Sequence, residues 1–217
     1  PVPPGARVGF ARWVGFEGGF LLNDPWLHGD GITGFTRATG YQSDVLCALA
    51  ADHLAHPSAA APRFTLLGLE APHPPYAAPT PASTFRIRPE DIVLAPNVPR
   101  GGEVEARARR ELAGYYAHIA ATDAALGRLL ARVPPATIVV FTSVHGDMHG
   151  AHGLFRKGWP HEESIRVPFL VRGAPGPAGR SAEPVSLLDL PAMTLAWAEG
   201  RAWRCPRDRA EISMPSV

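Results

Sequence analysis

The spacing of apolar and polar positions changes period several times along the chain, and each change marks an element. Residues 41–56, YQSDVLCALAADHLAH, place Val45, Leu46, Leu49 and Leu54 at helical spacing behind Ser43 and Asp44, residue types that cap helix N-termini. Residues 104–133 carry the longest helical period, with Leu112, Tyr115, Ile119, Ala120, Leu126 and Leu130 on one stripe, and Pro134-Pro135 stops it. Three apolar runs lack that period. FTLLGLE at 64–70 predicts a buried strand, VPFLVRG at 167–173 a further strand, and the β-branched run ATIVVFTSV at 136–144 a central strand covered on both faces. A closing helix is expected over 186–200. Residues 1–40, rich in Gly and aromatics, predict an irregular packed loop. The proline-rich stretch 71–103 predicts a connection too long to be idle in a compact domain.

Strands alternating with helices predict an α/β fold, a mostly parallel central sheet flanked by helices, with ligands beyond the carboxyl ends of its strands. The loop that follows Val144 lies at such an end.

Composition narrows the picture. The 217 residues suit one domain with a core that needs no disulfide. Twenty-one basic residues against twenty acidic ones leave a net charge of +1, no field to attract nucleic acid or an anionic membrane. No apolar run approaches the ~18–20 residues that span a bilayer. No signal-peptide pattern is visible, and the chain begins at Pro1, as a fragment would, so the compartment is left unassigned. Cys47 and Cys205 are too far apart for a CxxC motif and read as two free thiols, Cys47 in mid-helix being a poor nucleophile. Of the basic residues twenty are Arg and one is Lys, Lys157.

That Lys lies in the densest chemistry of the chain. Residues 143–168, SVHGDMHGAHGLFRKGWPHEESIRVP, hold His145, His149, His152 and His161 with Asp147, Glu162 and Glu163. Imidazoles and carboxylates at short spacing suit zinc or a related ion, although the HxxxHxxH spacing wants a helix that Gly146, Gly150 and Gly153 oppose. A compact ammonium suits one oxygen of a sulfate or phosphate, where Arg would clamp two. Solvated histidines on a polar loop are the plain alternative.

The same stretch resembles the C-terminal motif block of the sulfatase family, within the alkaline phosphatase superfamily, which reads S-D-H-G-D-M-L-G-x-H-G-L-x-x-K-x-x-x-Y-E-E-S-I-R-V-P. APHPPY at 71–76 is similar to the family's P-H-x-P-[YF], and GYQSDVL at 40–46 to its G-Y-x-T-D-x-L. IVLAPNVP at 92–99, GYYAHIAATDAALGRLL at 114–130 and PVSLLDLPAMTLAWAEG at 184–200 extend the likeness over residues 10–200 in the family's order. The resemblance implies an alkaline-phosphatase-like fold and hydrolysis of a sulfate ester, on a small molecule or a glycan, by a formylglycine made from C/S-x-P-x-R. It also implies a divalent cation, usually calcium, with Lys157 and His73 as catalytic, sulfate-binding residues and His145 as a metal ligand. A phosphodiester- or phosphonate-cleaving relative uses the same arrangement.

Departures from the pattern shape the expectation. Val144 stands where the family's metal-binding Asp belongs, and the N-terminal Asp-Asp element is absent. No nucleophile motif is present: CPRDR at Cys205 has Pro one place early, and SMPSV at Ser213 has Val where Arg belongs. Residues 1–200 are therefore expected to be the C-terminal portion of a sulfatase-type domain without its early strands, followed by a tail at 201–217. Such a chain is expected to be inactive alone, to hold calcium weakly or not at all, and to self-associate through open sheet edges. A non-catalytic anion- or partner-binding member is the alternative.

Overall fold

The computed structural model describes residues 2–7, 9–17, 19–55, 62–206 and 208–210. Ser213 and its SMPSV motif, Arg207 of CPRDR, and His56 at the end of the first expected helix lie outside them. The chain divides into two compact units, Pro1–Leu94 with Glu105–Val133, and Ala95–Val104 with Pro134–Val217.

The first unit opens with an antiparallel meander, β1 (Val14–Glu17), β2 (Trp26–Gly29) and β3 (Ile32–Arg37). The expectation of an irregular loop over residues 1–40 is thereby corrected. Asp30-Gly31 turns β2 into β3 with Gly31 at φ 77°, a left-handed backbone that favours glycine. The Asp30 carboxylate then ties the turn to the chain before β1, accepting from the Trp13 amide at 2.8 Å and from Arg7 Nη1 at 3.1 Å. Glycines and aromatics hide the alternation of these strands, and the aromatics pack together: the His28 ring of β2 meets those of Trp13 and Phe35.

Two helices follow, α1 (Gln42–Ala55) and α2 (Glu103–Leu130). The buried face of α2 is not the expected stripe. Ala108, Ala117, His118, Ala121, Thr122, Ala125 and Leu129 are buried, while Ile119 and Leu130 are exposed. Cys47 and Ala51 of α1 pack on Ala125 and Leu129 of α2. Polar groups drawn into that contact pair with one another, His118 Nε2 excepted. Ser43 Oγ lies 3.0 Å from Thr122 Oγ1, and the Tyr41 hydroxyl 2.7 Å from His118 Nδ1. Gln42 donates to the Leu21 carbonyl and accepts from the Glu70 amide. Residues 64–70 form no strand. Leu67 and Leu69 pack against the cluster around Cys47, and Phe64 and Leu66 face outward with no neighbouring strand to cover them. Both cysteines are free thiols, and burial pushes Cys47 up to about 11.

In the second unit β4 (Val139–Thr142) pairs antiparallel with β5 (Phe169–Arg172), from Val139↔Arg172 to Thr142↔Phe169. The α/β class holds, but the mostly parallel sheet does not: every strand pairing among the described residues is antiparallel. A parallel pair needs a crossover of a dozen or more residues, usually a helix. The only α-helix between β4 and β5 is α3 (Glu162–Ile165), a single turn, and the chain returns beside β4 reversed. Nor is β4 covered on both faces, since Phe141 is exposed and Leu170 on β5 is 62% exposed. The closing helix α4 (Leu190–Ala198) follows a 3-10 turn with a capping box, Ser186 Oγ accepting from Leu188 N and Asp189 Oδ2 from Ser186 N. No helix among the described residues is long and apolar enough to cross a membrane.

The burial of His118 makes the first unit sensitive to acid. His118 is fully buried, and desolvation, opposed by the backbone carbonyls of Pro75 and Tyr76, pushes its imidazole below the ordinary 6.5. The unfolded chain takes up this proton near 6.5 and the folded ring resists it, so stability is full above that pH and falls as pH drops below it. Urea unfolding midpoints at pH 7.5 and 5.5 check this. His118→Gln removes the titration and flattens the difference between them.

Candidate functional site

The loop after β4 is built around close backbone contacts. The Gly146 amide donates to the Ser164 carbonyl at 2.8 Å, and a Cβ on Gly146 would lie 2.1 Å from the Glu163 carbonyl oxygen. Only glycine lets the strand exit run that close to α3. His145, one residue earlier, has Nδ1 2.8 Å from the Gly146 carbonyl oxygen. A carbonyl can only accept, so Nδ1 carries the proton and the lone pair of the neutral ring is at Nε2. Ser143 Oγ donates to the His145 carbonyl at 2.8 Å. Val144 is 85% exposed.

Farther along, the backbone bends repeatedly through the left-handed region, at His149 (φ 43°), His152 (φ 54°) and Arg156 (φ 71°), as well as at Gly150, Gly153 and Gly158. Each non-glycine residue there costs about 1 kcal/mol or more, which neighbouring hydrogen bonds must offset. Asp147, with a side chain 7% exposed, accepts from the amides of His149 and Arg156, both at 3.0 Å to Oδ1. Buried Ser164 on α3 accepts from the amides of Gly158 and Trp159 at 3.1 and 3.4 Å. Lys157 stands exposed between these attachments. Beside them, the His152 and His161 rings stack with centroids 4.4 Å apart. Asn97 Nδ2 lies 3.1 Å from His152 Nε2 and donates to Glu163 Oε1 at 2.7 Å, which holds that carboxyl below its ordinary range.

His73 belongs to the first unit, and His145 and Lys157 to the second. Within its own unit His73 is half-buried, its amide donating to the Glu70 carbonyl at 2.9 Å. Its Nδ1 lies 3.0 Å from the Pro74 carbonyl and 3.2 Å from Glu70 Oε1. Both neighbours are acceptors, so this nitrogen also carries a proton. Phe20 stacks on the ring at 5.2 Å. Glu70, Asp147 and Ser164 carry no assigned role in the sequence-derived site. Asp147 and Ser164 match fixed positions of the motif block, and the Glu-x-x-His spacing at 70–73 is the signal that points to Glu70.

The donor set does not fit a hard cation, which takes about six or more oxygens. His145 contributes one imidazole, Val144 none, and Asp147 Oδ1 is taken by two amides. No three His, Cys, Asp or Glu side chains converge as metal ligands among the described residues.

A family model described as Sulfatase matches residues 5–200. The ulvan-active sulfatase of Formosa agariphila is 42% identical over 118 residues, 51% of this chain and 23% of that protein. An arylsulfatase of Clostridium perfringens is 44% identical over 68 residues, 29% of this chain and 14% of the relative. Among solved structures, the protein of Bacteroides fragilis named as sulfatase yidJ superposes with a TM-score of 0.65 at 26% identity, covering 78% of this chain and 39% of that one. The chain thus spans well under half the length of each of these proteins.

The close approach at Gly146 is directly testable. Gly146→Ala must move either the strand exit or the backbone of α3, and it is expected to cost about 1–3 kcal/mol, the range for overpacking a tight contact. Calorimetric unfolding of the variant beside the wild type measures it.

Proposed function

The chain belongs to the sulfatase family, and we propose that it carries the oxyanion-binding side of a sulfuric-ester hydrolase acting on a small molecule or a glycan. Lys157 and His73 are the residues assigned to the sulfate. The observation that supports this reading most is the placement of the chain's one ammonium, exposed on a loop whose backbone is tied on both sides to buried side chains. An ammonium near the ester neutralises charge on the sulfuryl oxygens and the leaving oxygen as the S–O bond breaks. His73, its Nδ1 held by Glu70, is the imidazole assigned to that leaving oxygen.

The attacking group is not encoded in this sequence, which contains no C/S-x-P-x-R, and the donor set described above does not suffice for the family's cation. The proposal therefore covers binding by residues 1–200 and no turnover by this chain alone. Val144, apolar and exposed beside His145, favours a second reading, a member that binds an anion or partner without catalysis. Exposed Phe141, Leu170 and Val171 on β4 and β5 support self-association as well.

Two measurements test these readings. Sulfate binding followed by equilibrium dialysis is expected to weaken roughly tenfold or more in Lys157→Met, since a hydrogen bond to a charged group contributes about 1.5–3 kcal/mol. Unchanged affinity overturns the assignment, and calcium-dependent release of product from an aryl sulfate by the wild-type chain overturns the inactivity. Light scattering is expected to show a mass that rises with concentration and falls back in Leu170→Glu; a constant monomer mass removes self-association.

A further inference from the structure

We infer that Asp147 and Ser164 are positioning residues for Lys157, two side chains that fix the base of the lysine stem from opposite directions in sequence. The inference rests on the oxyanion-binding reading of Lys157 and names what makes that site rigid.

Lys157 is exposed, and the backbone on either side of it is held. Arg156 and Gly158 both have left-handed backbone, at φ 71° and 91°, which places Lys157 at the tip of a sharp excursion. Arg156 is bound on both its backbone groups: its amide donates to Asp147 Oδ1 at 3.0 Å, and its carbonyl accepts from the Met148 amide at 3.0 Å. On the other flank the Gly158 and Trp159 amides converge on Ser164 Oγ at 3.1 and 3.4 Å. Neither anchor is a surface residue. The Asp147 side chain is 7% exposed, and Ser164 is buried.

The geometry answers a difficulty inherent in lysine. A four-carbon stem carries a large rotamer entropy, and a loop that also wanders adds to the cost of placing the ammonium on an oxyanion. Fixing the Cα removes the loop's share before the anion arrives, which is preorganisation supplied by backbone hydrogen bonds. The anchors lie ten residues before the lysine and seven after it, so the clamp is assembled by folding and is not local to its own turn. Arg156 would not hold a left-handed backbone without such support.

Lys157 is the only lysine, so the full chain labelled with [15N]lysine gives one backbone amide resonance that reports this position alone. The wild-type amide is expected to have an order parameter of about 0.85, falling below about 0.6 in Ser164→Ala and in Asp147→Ala, each of which removes the accepting side-chain oxygen. Ser164→Thr keeps the hydroxyl and is expected to restore the wild-type value. Sulfate affinity is expected to fall about fivefold in the two loosened variants and to stay within about twofold of wild type in Ser164→Thr, a pattern that lost stability alone does not give. Circular dichroism confirms that Ser164→Ala is folded. A wild-type order parameter in folded Ser164→Ala overturns the inference, whatever the anion does. Unchanged sulfate binding in Lys157→Met overturns the oxyanion-binding reading instead, and leaves the order parameters to decide the positioning role.

Discussion

The buried amide of Gln42 is the constraint on which the first unit turns. A side-chain amide taken out of water is costly unless its donor and acceptor are both satisfied. Here the NH2 reaches the Leu21 carbonyl and the oxygen takes the Glu70 amide, while the Gln42 backbone amide donates to Leu22. One fully buried residue thereby ties the connection between β1 and β2, the start of α1 and the segment leading to His73. Glu70, held at its backbone by Gln42, supplies the carboxylate that faces His73 Nδ1. The orientation of the candidate substrate-side imidazole therefore depends on a helix N-terminus far from it in sequence.

The second unit meets a different need by similar means. Its loop between β4 and β5 runs without a sheet or a long helix to absorb backbone amides. Side chains do that work, Asp147 for His149 and Arg156, Ser164 for Gly158 and Trp159, and the Asn97 side chain cross-links Glu163 and His152. Both units hold their candidate site residues by buried polar side chains that receive backbone donors, and apolar packing plays the lesser part.

This explains how much could be read in advance. The two long helices were legible because a 3.6-residue period with capping residues and a terminal Pro134-Pro135 has few rival readings. The face that α2 buries was not legible, because Ala117, His118, Ala121 and Thr122 are inside, His118 and Thr122 hydrogen-bonded there, while larger Ile119 is left outside. The meander was hidden by its glycines and aromatics, although Asp30-Gly31 is a hairpin signal in plain view. Residues 64–70 look like a strand but lack a partner to pair with. In the candidate site, His73, His145 and Lys157 stand out by motif. Asp147 and Ser164 also match the motif block, but their role was not legible, since a side chain that accepts from distant backbone amides leaves no pattern in its partners' residue types.

The pairing of β4 with β5 has a consequence for everything between the strands. Thr142↔Phe169 is the last rung of the ladder, and the loop that bears His145 and Lys157 begins and ends there. Side chains alternate along a strand with a period of two, at about 3.3 Å per residue. A slip of one residue would reverse the faces of β5 and shift one end of the loop against the other by that distance, with every residue of the loop still present. The short ladder thus acts as a ruler: it sets the phase between two ends of an irregular loop, and distance in this part of the molecule is measured in whole residues.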